Sequence, residues 1–147
     1  MRIVRLEGKK LIGLRVVCAG DQYVNEIPKS TALLKERRAE IRGVLNPEQV
    51  VGAYVVGDCS PEKDGYWICY EADQLESIPD GMTSLVVPPQ TYAVITHEGP
   101  NTEIKHTYEE LHRRIASTGY ERDLCAWHLE LSRDGSPQTV ELYDTLR

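Results

Sequence analysis

Apolar residues recur along this chain at two periods, and the switches between them mark out its elements. Short runs rich in branched and aromatic residues predict strands over residues 2–7, 11–17, 50–56, 66–71, 84–87, 92–97, 125–131 and 139–143. Two stretches carry the longer, helical period. Over residues 27–42, Ala32, Leu33, Leu34 and Ile41 stand among Lys, Arg and Glu. That predicts an amphipathic helix with Pro28 in its first turn and Gly43 at its end. In the second stretch Ile104, Tyr108, Leu111 and Ile115 are spaced by 4, 3 and 4 residues, which gives a buried stripe. Asn101 or Thr102 is expected to cap this helix, and Gly119 to end it in a left-handed conformation. Arg133-Asp134-Gly135-Ser136-Pro137 is expected to turn the chain between the last two strands.

Alternation within the strands assigns side chains to faces. Tyr66, Ile68 and Tyr70 share one face of their strand, and Trp67, Cys69 and Glu71 the other. Both faces carry large groups, so this strand is expected to be central and covered on both sides. In the last strand Thr139, Glu141 and Tyr143 point one way, and Val140 and Leu142 the other. A carboxylate beside a phenol suits the floor of a cavity for a cationic or hydrogen-bond-donating group. The strand before it carries Glu130 among apolar residues.

The order strand, strand, helix, strand, strand occurs twice, in residues 1–73 and 82–147. It predicts an α+β domain spanning 1–147, with a mostly antiparallel eight-stranded sheet and both helices on one face. The opposite face, apolar and unoccupied by helices, would be open unless a second protein or a ligand covers it, and a ligand cleft there is the expectation.

Composition alters this picture in a few places. The 147 residues suffice for one ordinary core, which aliphatic residues must fill because Phe is absent. Eight Tyr and two Trp add aromatic surface with polar handles. A formal charge of −6 without a basic run argues against direct nucleic-acid binding. No stretch approaches the ~20 apolar residues that span a bilayer, and no cleavable leader is visible, so a cytoplasmic protein with no membrane partner is expected. Cys18, Cys59, Cys69 and Cys125 form no metal-binding spacing and are expected to be reduced thiols, with Cys59 the reactive alternative. His97, His106, His112 and His128 make no metal set, so neither metal nor cofactor is expected. His128 shares a strand face with Glu130, which would allow a base–acid pair, but an unpaired surface His is the expectation.

Several motifs together resemble the GyrI-like small-molecule-binding domain, the effector-binding domain of AraC- and MerR-type multidrug regulators. They are Ile12-Gly13-Leu14-Arg15, Val51-Gly52-Ala53-Tyr54, Pro79-Asp80-Gly81-Met82, the run from Val87 to Val94, Thr96-His97-Glu98-Gly99-Pro100, Ser117-Thr118-Gly119-Tyr120-Glu121 and Val140-Glu141-Leu142-Tyr143. The likeness covers nearly the whole chain. It implies a tandem βαββ (SH2-like) pair with a hydrophobic cleft between the halves, and an acidic residue in it that attracts cationic aromatic compounds. Glu141 matches the family's pocket Glu, and Leu129-Glu130 its penultimate-strand pair. The chain departs from the family at Leu131-Ser132, where a Tyr is usual, and at Cys69, where a Gly is usual. No helix-turn-helix precedes the domain, which implies a stand-alone member.

The expected site therefore comprises Glu141, Tyr143 and Glu130, with Tyr54, Trp67, Tyr92 and Trp127 as candidate walls. The leading function is binding of a small hydrophobic or cationic molecule, to sense or sequester it, with a separate transcription regulator as a possible partner. The resemblance leaves two alternatives open. One is a hydrolase of cyclopropane-bearing electrophiles, in which a Glu orients water. The other is contact with DNA gyrase.

Overall fold

The computed structural model describes residues 1–133 and 139–147. The turn expected over 133–137 lies, from Asp134 onward, outside the described residues. Branched and aromatic runs form eight strands: β1 (Arg2–Leu6), β2 (Lys9–Val16), β3 (Gln49–Val55), β4 (Tyr66–Ala72), β5 (Thr83–Val87), β6 (Gln90–Glu98), β7 (Trp127–Arg133) and β8 (Thr139–Leu146). They join in one antiparallel sheet of order β1-β6-β8-β7-β3-β4-β2-β5. The order is symmetric about the β7–β3 pair. Each half contributes three consecutive neighbours, and the first strand of each half, β1 or β5, pairs with the other half.

Helices α1 (Tyr23–Glu36) and α2 (Ile104–Thr118) lie on the same face of this sheet. Leu34 of α1 packs on Ile12, Ile68 and Tyr70, over β2 and β4. Leu111 and Ile115 of α2 pack on Ala93, Val140 and Leu142, over β6 and β8. The spacing of 4, 3 and 4 thus forms the buried stripe, and Gly119 closes α2 at φ 84°. The start of each helix differs from expectation. Helix α1 begins at Tyr23, so Pro28 lies inside it and removes one i→i−4 bond. The physical reason is packing: Tyr23 and Ile27, one turn apart, both rest on the apolar cluster beneath α1 and draw the helix back through the proline. Its α-helical part ends at Glu36, ahead of Gly43, and a turn of 3-10 helix follows. At α2 a 3-10 turn over Asn101–Glu103 takes the place of a side-chain cap.

The far face of the sheet curls on itself. Leu11, Val51, Trp67, Tyr92, Val94, Leu129 and Tyr143 fill it, and Val4, Leu6 and Leu85 from the two edge strands close over them. The expected cleft on this face is therefore corrected. Curling lets the strands cover each other's apolar side chains, so that face is core.

The cysteine expectation is corrected too. Cys59 and Cys125 form a disulfide that ties the β3–β4 loop to the segment before β7. Only Cys18 and Cys69 are free among the described residues. The spacing of 66 residues hides the pair, and the antiparallel β3–β7 ladder brings it together.

Candidate functional site

Helices α1 and α2 each cover an outer part of the sheet and leave its middle bare. Between them opens a cleft of about 1170 Å³, floored by β3, β4 and β7. Tyr23, Ile27 and Thr31 wall it from α1, and Ile104, Tyr108 and His112 from α2.

Glu130 is the carboxylate at the centre of its floor. Antiparallel register places it opposite Gly52 on β3 and Leu142 on β8, so it points to the helix face. Tyr66 donates to its Oε1 at 2.5 Å, and Tyr108 donates to its Oε2 through a short hydrogen bond. Tyr54 donates in turn to the Tyr108 hydroxyl at 2.8 Å. The Tyr54 and Tyr66 rings lie nearly parallel, 6.0 Å apart and 15° from coplanar. Burial, and then the Glu130 charge, pushes all three phenols well above their ordinary range, so they remain protonated donors.

A second polar cluster borders the first. Asp144, fully buried on β8, accepts from Arg122 Nε at 3.0 and 3.1 Å and from His112 Nε2 at 2.8 Å. The Nδ1 atom of His128 lies 3.2 Å from the same carboxylate. Burial pushes the Asp144 carboxyl up, but the adjacent His128 ring and the hydrogen-bonded Arg122 guanidinium hold it below its usual range. The His112 imidazole is pushed down by burial and by the Arg122 guanidinium, more than Asp144 restores. Arg122 and His112 both reach the cleft wall, while Asp144 neutralises Arg122 from behind.

The structure divides the expected site residues between two faces. Glu130 and Tyr54 line the cleft. Glu141, Tyr143, Trp67, Tyr92 and Trp127 do not. Glu141 pairs with Leu131, one register step from Glu130, and so falls on the opposite face, where Arg2 binds it at 2.8 Å near the surface. Tyr143 packs edge-on against Tyr92, and Trp67 edge-on against Trp127, all four within or against the curled core. The reason is the two-residue period: neighbours in a strand cannot share a face. His128 is fully buried, not a surface residue. It stacks on Tyr54 and donates from Nε2 to the Asp123 carbonyl, so it forms no pair with Glu130.

Tyr66, Tyr108, Gly52, Arg122, His112 and Asp144 were not marked as site residues by the sequence pattern. Two signals were present. Glu130 shares its strand face with His128 and Ser132, a polar row unsuited to plain core. Extending the last strand past Tyr143 would have placed Asp144 on the apolar face of Val140 and Leu142.

Comparison with known proteins bears on the family and the fold. The profile of the Cass2 family, integron-associated effector binding protein, matches residues 2–144. No curated protein is significantly similar to the chain in sequence. Among solved structures, SAV2435 bound to tetraphenylphosphonium is 14% identical, with a TM-score of 0.76, over 99% of this chain and 93% of that one. EcmrR in its DNA complex is 15% identical with a TM-score of 0.70, over 99% of this chain, which spans 56% of EcmrR. The integron cassette protein VCH_CASS2 of Vibrio cholerae is 17% identical with a TM-score of 0.59, over 99% and 95%. At such identities these likenesses show the fold.

Proposed function

Because the chain belongs to the Cass2 family of integron-associated effector binding proteins, we propose that it binds a small, largely apolar cation between α1 and α2, to sense or sequester it. Glu130 is the counter-charge, and Tyr54, Tyr66 and Tyr108 offer ring faces around it. The observation that carries this reading is the carboxylate itself: a Glu held on the floor of an aromatic cleft by two phenol donors. Those charge-assisted bonds are strong enough to fix the anion in place without cancelling its charge. A cation over the rings gains from their quadrupoles as well as from Glu130, by about 0.5–2 kcal/mol for each face it meets. An apolar ligand body gains further from Ile27 and Ile104 on the walls and Ile68 on the floor. Tetraphenylphosphonium, present in the SAV2435 structure, is a suitable first probe for this chain.

Calorimetric titration with tetraphenylphosphonium tests the reading. Glu130→Gln keeps the shape and removes the charge, and is expected to weaken binding about 10- to 100-fold. Glu141→Gln, on the opposite face, is expected to leave the affinity as it is. The reverse pattern, with Glu141→Gln lowering affinity and Glu130→Gln not, overturns the assignment.

A further inference from the structure

We propose that Gly52 sets the selectivity of the cleft, by letting Tyr66 reach across β3 to Glu130, so that the site favours cations without N–H donors over protonated amines. The inference rests on the cation-binding reading above and specifies its ligand class. Tyr66 is on β4 and Glu130 on β7, with β3 between them. Neighbouring strands lie ~4.8 Å apart, so a side chain from β4 can meet one from β7 only by passing over β3. The position it passes over is Gly52, directly opposite Glu130 in the β3–β7 ladder. A Cβ at Gly52 would lie 1.8 Å from the Tyr66 hydroxyl oxygen and 2.5 Å from the ring carbon that bears it. Any other residue there displaces the phenol. The backbone itself does not demand glycine, because Gly52 is not among the residues with positive φ. What demands it is the hydrogen bond.

The consequence for ligands follows from the acceptor count. An ionised carboxylate offers about four acceptor directions. Tyr66 takes one on Oε1 and Tyr108 one on Oε2, and each brings its ring close to the anion. About two directions remain, fewer than the three donors of a primary ammonium, and the two phenol rings stand beside them. A quaternary ammonium or phosphonium needs no acceptor and draws on both charge and ring faces. A primary ammonium brings three donors that water had satisfied. It must displace a phenol from Glu130 or leave donors unmet, and either outcome costs affinity. With the Tyr66 hydroxyl gone, Oε1 of Glu130 offers a further direction to an N–H donor, and the disadvantage of the amine shrinks.

A matched pair of probes reads this directly: 4-phenylbutyl(trimethyl)ammonium and 4-phenylbutylammonium, each titrated calorimetrically at neutral pH. The wild-type chain is expected to bind the trimethyl compound more tightly. Tyr66→Phe is expected to narrow the ratio of the two affinities about tenfold, mainly by improving amine binding. Gly52→Ala is expected to narrow it in the same sense, although it adds no group that can pair with either probe. A wild-type ratio that favours the amine, or a ratio unchanged in Tyr66→Phe, overturns the proposal. A folded Gly52→Ala with the wild-type ratio overturns the part given to Gly52. Should that variant not fold, the ratio in Tyr66→Phe decides. Failure of the wild-type chain to bind either probe, or tetraphenylphosphonium, overturns the cation-binding reading itself, a result distinct from binding without selectivity.

Discussion

At the scale of single residues the chain shows how far one step of register matters. Glu130 and Glu141 sit on adjacent strands and differ by one position in the ladder, yet one faces a cleft and the other pairs with Arg2 beside water. Asp144 is the other decisive carboxylate. It is fully buried and takes hydrogen bonds from Arg122 and His112, so Asp144→Asn leaves a guanidinium without its partner. Arg122 keeps some access to water, so the expected cost is roughly 3 kcal/mol, the low end for a broken buried pair. Denaturant unfolding of the two proteins at pH 7 measures it. The pH dependence has a definite sign. Asp144 is held below its usual range, so its contribution is complete above about pH 4, its unfolded value, and is lost as pH falls through the lower folded value. His112 is also pushed down, so the folded state resists protonating it, and stability begins to fall below about pH 6.5. Wild-type unfolding free energy is thus expected to decline on acidification in two stages, and Asp144→Asn to show a smaller acidic one, since Glu40 and Glu62 are also held below their usual range. A flat profile between pH 7 and 4 in the wild-type chain counts against the His112 part.

At the scale of elements, the helices act as walls, and their inner stripes fix where the walls stand. Leu111 is fully buried between α2 and the sheet, and Leu111→Ala is expected to cost about 2–5 kcal/mol through lost burial and a residual cavity. Because α2 also carries Tyr108, the same change is expected to loosen the bond from Tyr108 to Glu130 and weaken tetraphenylphosphonium binding. A variant that loses stability but keeps full affinity would show that α2 holds its register without this contact. The disulfide is the other element-scale restraint. It joins the β3–β4 loop to the segment carrying Arg122, and both cysteines are exposed. Closing a span of 66 residues restricts the unfolded chain strongly, so reduction, or Cys59→Ser with Cys125→Ser, is expected to lower stability by about 2–4 kcal/mol. Thermal unfolding with and without a reductant reads this, and identical midpoints would sink it.

At the scale of the whole molecule, two like halves meet at β3 and β7, and the cleft lies over their junction. Each half lends its first strand to the other, which lets the sheet curl and bury its far face. Much of this was legible beforehand. Eight strands, two helices, their order and the stripe on α2 follow from local periodicity, which needs only a few neighbouring residues to declare itself. The presence of two acidic residues in the closing strands, and the likeness to effector-binding domains, were legible as well. The faces were not. Which side of a strand meets the helices depends on register against partners far along the chain, and a period of two offers both sides equally. Thus local patterning determined the elements and named both Glu130 and Glu141, but it put Glu141 first, on the face that the assembled sheet turns away from the cleft. Only the assembled sheet decided between them, brought Tyr66 over Gly52, and joined Cys59 to Cys125, because each of these depends on pairings between distant segments that no local pattern records.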